Sequence, residues 1–507
     1  MNVNKKSNID WATMLVPFLI VVAMMTVFMV SPEGSKNVVD TLRGFFGDTI
    51  GLYYPLLAIG SVICALYVAM TPKYGNIRLG HIEKPAYSDF KWGTMIFTST
   101  MAADIMFYSL IEWALYGGEQ HVSDLGSLQM WAPTFTLFHW GPLAWGFYVI
   151  LAVCFGFMIH VRRRTRQRFS EACRPLLGDY VDGFWGKVID VIAIFAIVCA
   201  TATTFSLATP LLTKAMGSVF GFEVTTGVTI IVLLLIFSIY TITVLFGVQG
   251  ISRLAEICSY LFFAILFYFL FLGGETRYIM ETGFQSLGNL AQNFIGLSTY
   301  MDPARENGFA QNWTVYYWAY WLVWCVATPF FIAIISKGRT LRNVVYGTFG
   351  WGLAGTYMSF IILGGYGLSQ QIKHGVDSIG FIADGGEMYD AILMIFDTLP
   401  LPALALILLV ITMIAFYSTT LDGITYVTSS YSYKKISPDE EPSRKIRGFW
   451  SVMLILLPIA LLFAENSLYS LQGVTIIAAF PVGILLILIV ISFFKDAGKW
   501  LSKNKRV

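Results

Sequence analysis

Residues Trp313–Trp324 read WTVYYWAYWLVW, seven aromatic side chains in twelve positions, and the chain continues into the apolar run CVATPFFIAIIS. Aromatic faces carry negative charge density and attract cations, each ring being worth roughly 0.5–2 kcal/mol. A quaternary ammonium group has no N–H to donate, so ring faces suit it better than hydrogen-bond acceptors do. On a helix, positions 313, 317, 320, 321 and 324 share one face and cover about 16 Å of axis. An interfacial belt would occupy one or two turns; it accounts for Trp313 but not for Trp321 or Trp324. Plain packing between helices stays an equal alternative for this helix taken alone.

A second cluster, LFHWGPLAWGFY, places Trp140 beside Pro142, where a helix begins or bends, and Trp145 and Tyr148 on one face three residues apart. Rings on two separate helices can wall a box. A third stretch, FTSTMAADIMFYSLIEW, supplies charge. Asp104 stands about thirteen residues into an apolar segment, and a carboxylate at such depth is costly and functional by default; the alternative is a structural bond to a neighbouring helix. Glu112, two turns later, reads as structural. The run STMAA before Asp104 is small and hydroxylic, suited to close packing or to the unwound backbone from which many transporters build sites; Met101 within it is counted with the substrate-facing residues. His139 reads as a lone histidine capping or bonding within its own segment.

The elements that must hold these groups are membrane helices. The 507-residue chain is 56% hydrophobic and 13% charged, against about 25% charged in soluble proteins. The fold class is therefore an all-α polytopic membrane protein. Twelve segments have the roughly 20 apolar residues of a span, near 12–30, 50–71, 91–116, 138–160, 187–208, 225–247, 257–273, 313–335, 343–366, 400–428, 447–464 and 473–494. With the N-terminus inside, all but six of the 33 lysines and arginines fall on the cytoplasmic side, the six being Lys36, Arg43, Lys214, Arg277, Arg305 and Lys373. That is the positive-inside pattern, and it puts both termini in the cytoplasm. The first segment is too long for a cleavable signal and lacks a cleavage site. The domain reading is a cytoplasmic N-terminus 1–11, one transmembrane transporter domain 12–494 and a basic cytoplasmic tail 495–507, partly frayed. Of the outer loops, 275–312 contains an amphipathic surface helix around SLGNLAQNFIGL, and 367–399 is a loop or part of a lid. The six cysteines form no disulfide framework, and the near-zero net charge of +2 points to no nucleic-acid partner.

At this point the chain resembles the betaine/carnitine/choline transporter family, through FHWGPLAW (138–145), NWTVYYWAYWLVW (312–324), ISKGRTLRNVVYG (335–347), GISRLAE (250–256) and DPARENGFAQ (302–311). The resemblance implies twelve helices with a LeuT-type inverted repeat, segments 3–7 against 8–12, a homotrimer, and a bacterial cell membrane. It assigns Trp140, Trp145, Tyr148, Tyr320, Trp321 and Trp324 to the substrate box; a tyrosine stands at 320 where the family usually has tryptophan. The glycine-rich motif of segment 3 is here TMAAD (100–104). Asp104 at its end resembles choline carriers rather than betaine carriers, and a nearby aspartate would repel the carboxylate of betaine or carnitine. The carnitine/γ-butyrobetaine antiporters also share FHWGPL, but Cys258, Thr328 and Leu115 depart from their site residues. Ser418 and Thr419, in AFYSTTLDG, match the family's sodium site, with carbonyls around Thr98 and Met101 completing it; the alternatives are hydroxyls bonded back to their own helix, or a coupling proton on Asp104 or Glu112.

The expected function is thus secondary active transport of a small quaternary ammonium solute, choline favoured, with L-carnitine, γ-butyrobetaine or glycine betaine as alternatives, no organic cofactor, and Na+ or H+ as coupling ion. A membrane-embedded enzyme is the alternative of another class; it would need a nucleophile, metal cluster or phosphate loop, and the chain has no Walker motif, no HExxH and no paired His/Cys spacing. A channel would need a filter-like repeat, which is also missing.

Overall fold

The computed structural model describes residues 8–82, 84–99, 102–246, 251–436, 440–463 and 468–504. Its helices, in chain order, are α1 (Trp11–Val30), α2 (Pro32–Arg43), α3 (Tyr53–Met70), α4 (Asp89–Thr98), α5 (Ala103–Gly117), α6 (Leu128–His139), α7 (Pro142–Gly156), α8 (Phe184–Phe220), α9 (Thr226–Phe246), α10 (Ile251–Phe267), α11 (Thr276–Thr299), α12 (Val315–Trp324), α13 (Thr328–Ile335), α14 (Leu341–Ser359), α15 (Met388–Asp397), α16 (Pro402–Tyr431), α17 (Arg444–Phe463) and α18 (Leu468–Asn504). Among the described residues there is no β-strand, only two isolated bridges. With no water in a bilayer to satisfy backbone groups, helices are what a chain this apolar must form. Among the described residues, six of them and the run Leu128–Val161, which joins α6 and α7, are long and apolar enough to cross a membrane, and ten spans result if each of three bent pairs counts as one.

Those three pairs are α4 with α5, the α10 region with α11, and the run Ala310–Trp324 with α13. Two of them, α4/α5 and α12/α13, are the segments that open the two expected five-helix sets. The sequence treats each as one span; the structure interrupts both. The break after Trp324 falls where Pro329 begins a new helix, since proline cannot continue the hydrogen-bond ladder but suits a first turn. The break between α4 and α5 coincides with the small-residue run; Thr100 and Met101 lie outside the described residues.

Of three expectations outside the spans, the helix in 275–312 is met and the other two are corrected. The 275–312 region does form a helix, α11, at 109° to the preceding one. The 367–399 stretch is largely helical, with Gly365–Lys373 continuing α14 through a wide turn, followed by Ser378–Ala383 and α15. The basic tail extends α18 as helix to Asn504; nothing breaks it because KDAGKWLSKN contains good helix formers and only one glycine.

Helix α8 acts as a strut with an ion pair near each end. Asp190 accepts from Arg168 at 3.0 Å. The same guanidinium reaches Asp10 at 3.2 Å and the carbonyls of Tyr431 and Tyr433. At the other end Lys214 pairs with Asp390 at 2.6 Å and Glu387 at 2.7 Å, tying α8 to α15. Asp190 and Lys214 are separated by about 36 Å along a helix axis, more than the roughly 30 Å hydrocarbon core. That separation is long enough for the two clusters to stand at opposite edges of the apolar slab. All six cysteines are free.

Candidate substrate site

The ring clusters of the sequence meet. Trp140 sits in the bend between α6 and α7, where Gly141 precedes Pro142 at the first turn of α7. Trp145 and Tyr148 follow one turn into that helix, and Trp321 projects toward them from α12. Its ring centroid lies 5.6 Å from Trp140, 5.5 Å from Trp145 and 4.8 Å from Tyr148. Trp140 and Trp321 are each 5% exposed, so neither faces lipid. Trp321 is the hub: three rings from the other helix pair with it.

The four rings are not held alike. The Trp140 indole N–H donates to Glu112 Oε2 at 2.8 Å, and its carbonyl accepts from Thr356 Oγ1 at 3.1 Å. Phe360 packs against it at 5.0 Å. By contrast the indole nitrogens of Trp145 and Trp321 are buried without a hydrogen-bond partner, which costs of order 1–3 kcal/mol for each donor. Trp140 is thus a bolted wall, and Trp321 a ring with no bond at its tip. Centroid spacings near 5 Å mean that the rings touch. A methylated nitrogen sits within about 6 Å of each centroid that holds it, so admitting one between them requires Trp321 to turn aside.

Behind Trp145, space is made by Gly352 on α14. A Cβ there would lie 2.6 Å from the indole ring, so the glycine lets the helix pass directly against the tryptophan face.

Asp104 is buried in the first turn of α5, where the positive end of the helix favours a carboxylate. The Tyr320 hydroxyl donates to Asp104 Oδ2, and Thr204 of α8 shares a 2.7 Å bond with the same hydroxyl. Asp104 Oδ1 is buried and unpartnered. Tyr320 approaches the box only at its edge, 6.4 Å from Trp140. Its polar end points into this hydroxyl chain. Trp324 lies at the end of α12, half-buried, and joins no ring pair among the described residues.

Several residues that the sequence did not single out complete the wall. Tyr108 bonds Tyr316 at 2.6 Å and lies 5.6 Å from Trp140. Its i, i+4 relation to Asp104 and Glu112 was a signal available in the sequence. Thr204, Gly352 and Phe360 come from distant helices and carry no local signal.

Two expectations are corrected. His139 does not bond within its own segment: Nδ1 meets Tyr116 at 2.7 Å, Nε2 meets Thr314 at 3.0 Å, and the ring stacks on Tyr317 at 4.8 Å. It joins three chain segments. Trp313 is no interfacial belt residue; it is 6% exposed and donates to Glu119 Oε1 at 2.6 Å. Burial pushes the Glu119 carboxyl above its usual range, and the Trp313 bond partly offsets this.

At the expected ion site the hydroxyls turn inward on their own helices. Thr98 donates to Met95 O at 3.1 Å, Ser418 to Ile414 O at 3.0 Å and Thr419 to Phe416 O at 3.0 Å. Cys258 Sγ lies 3.9 Å from Thr419 Oγ1. Met101, expected in both the substrate and ion sites, lies outside the described residues.

The family model described as BCCT, betaine/carnitine/choline family transporter, matches residues 12–500. The chain belongs to that family. Among its curated relatives, the "Uncharacterized transporter YeaV" of Escherichia coli (strain K12) is 28% identical, covering 89% of this chain and 92% of that protein. The "Probable glycine betaine transporter" of Desulfitobacterium hafniense (strain Y51) is 29% identical over 98% of each chain. The "Glycine betaine transporter OpuD" of Bacillus subtilis (strain 168) is 27% identical, covering 94% of this chain and 92% of its own. Membership makes the box part of a multi-pass membrane transporter.

Proposed function

We propose that this BCCT protein carries a betaine-type quaternary ammonium solute across the cell membrane by alternating access, with the methylated nitrogen held among Trp140, Trp145, Tyr148 and Trp321. The observation that carries the reading is the convergence of rings from α7 and α12 on Trp321. Each ring face is worth roughly 0.5–2 kcal/mol to a cation, so three or four can offset the dehydration of a trimethylammonium group. Two further facts favour a zwitterion such as glycine betaine over the choline preferred from sequence. Two relatives are glycine betaine transporters by name, and the unpartnered indole donors of Trp145 and Trp321 are groups that a carboxylate can accept from.

A second reading, choline, rests on Asp104. Its buried Oδ1 has no partner, and a net cation would supply the missing charge. For coupling, we propose sodium at Ser418 and Thr419 with Thr98. A hydroxyl that donates its proton to a backbone carbonyl keeps its oxygen lone pairs for a hard cation. The assembly proposed is a homotrimer with both termini in the cytoplasm.

The test is uptake into proteoliposomes of radiolabelled glycine betaine, choline, L-carnitine and γ-butyrobetaine, with and without an inward sodium gradient. Saturable, sodium-driven uptake of one of them is expected, with glycine betaine first. Binding of none would remove the reading; uptake that ignores sodium but follows pH would remove the Ser418/Thr419 assignment.

A further inference from the structure

The chain Thr204–Tyr320–Asp104 crosses three helices, α8, α12 and α5, inside the protein. With Asp104 as a carboxylate, an acceptor only, the single Tyr320 proton lies on its bond to Oδ2. The Tyr320 oxygen is then free to accept, and Thr204 donates to it at 2.7 Å. The threonines of α8 divide into two sets. Thr201 and Thr213 bond back to their own helix, at Ile197 O and Thr209 O. Thr203 meets Thr475 at 2.8 Å, and Thr209 meets Tyr417 at 2.7 Å as well as Phe205 O. Thr204 belongs to the set that reaches another helix, and its partner Tyr320 bonds onward to a carboxylate.

We propose that Thr204 and Tyr320 form a polarised hydroxyl relay that orients Asp104, keeping Oδ2 occupied and leaving Oδ1 for the solute, and that this relay sets the discrimination between hydroxyl-ended and carboxylate-ended quaternary ammonium solutes. The inference rests on the transport reading above and deepens it by naming what tells its candidate solutes apart. It also explains why residue 320 is a phenol. An indole donates but does not accept, so tryptophan at 320 could bond Asp104 yet could not receive the Thr204 proton. Chained hydroxyl bonds polarise one another in a low-dielectric interior; the Thr204 donation strengthens Tyr320 as a donor and steadies the carboxylate as an anion. A fixed anion beside the box favours a net cation relative to a solute that ends in a carboxylate, so it narrows the preference for glycine betaine that the box and its indole donors set.

The relay is made of positioning residues, so the measurement must be one that simple loosening of the fold would not move. The readout is the ratio of dissociation constants for choline and glycine betaine, by calorimetry on the purified full-length protein. Tyr320→Trp and Thr204→Val are each expected to shift that ratio toward glycine betaine by about tenfold, the equivalent of 1.4 kcal/mol. Thr204→Ser, which keeps the hydroxyl, should retain the wild-type ratio. In an Asp104→Asn background the Tyr320→Trp shift should vanish, because residues acting through one group are non-additive. A change of both constants by the same factor, or an equal shift with and without Asp104, would overturn the relay while leaving the transport reading standing. Failure of the wild type to bind either solute would overturn both.

Discussion

The ring box and the hydroxyl region of α16 are built on opposite plans. In the box, polar tips and ring faces cross from helix to helix: Trp140 bonds Glu112 of α5, and Trp321 meets three rings around α7. Along α16, Ser418 and Thr419 bond within their own turn. Groups that act on a solute through cross-helix contacts are fixed by the whole fold and should respond sharply to any change. Hydroxyls satisfied locally keep their lone pairs but are positioned by one helix alone, so their loss should be felt gently and in ion dependence rather than in solute affinity.

The sharpest way to break this contrast is Trp321→Ala. It removes the ring common to three pairs, and at up to about 2 kcal/mol for the lost ring contact to the ligand solute affinity is expected to fall by about 30-fold, with the protein still inserted as judged by size-exclusion profile. Next comes Gly352→Ala. The new Cβ meets the Trp145 ring at 2.6 Å, and overpacking of about 1–3 kcal/mol should displace the indole and weaken binding about tenfold with every ring residue still present. Thr419→Ala sharpens the other side: the half-saturating sodium concentration in proteoliposome uptake should rise a few-fold, of the order expected for one lost weak ligand or hydrogen bond, while solute affinity at saturating sodium stays put. A fall in solute affinity with no sodium effect would place Thr419 outside the ion path. The smallest change belongs to Trp324→Ala. Outside the ring cluster and half-buried, Trp324 should alter solute affinity less than threefold, about 0.6 kcal/mol; a loss matching that of Trp321 would return it to the box.

What could be read in the sequence follows from the same division. Spacing within one helix identifies a face, so the joint placement of Trp145 and Tyr148 was legible, as was the inward turn of Trp321. Apolar length and charge asymmetry made the helical membrane class plain. Partners across helices left no local trace. Gly352 looks like any glycine until Trp145 is seen against it, and Thr204 is one of several threonines on α8, some bonding locally and some across helices. The interruption of α12/α13 was hidden because CVATPFF is as apolar as its flanks, and hydropathy does not register a bend. Trp313 was misread because an aromatic residue at an outer edge fits a belt by composition alone, whereas its N–H has a half-buried carboxylate partner in Glu119.

Quenching of intrinsic fluorescence is too diffuse in a chain with 14 tryptophans, so the central claim is best met by calorimetric titration of glycine betaine and choline into wild-type and Trp321→Ala protein side by side. The expected result is saturable binding of at least one solute to the wild type and binding of that solute at least tenfold weaker in the variant. Unchanged affinity in the folded variant would contradict the claim that rings from two helices converge on Trp321 to hold a methylated nitrogen.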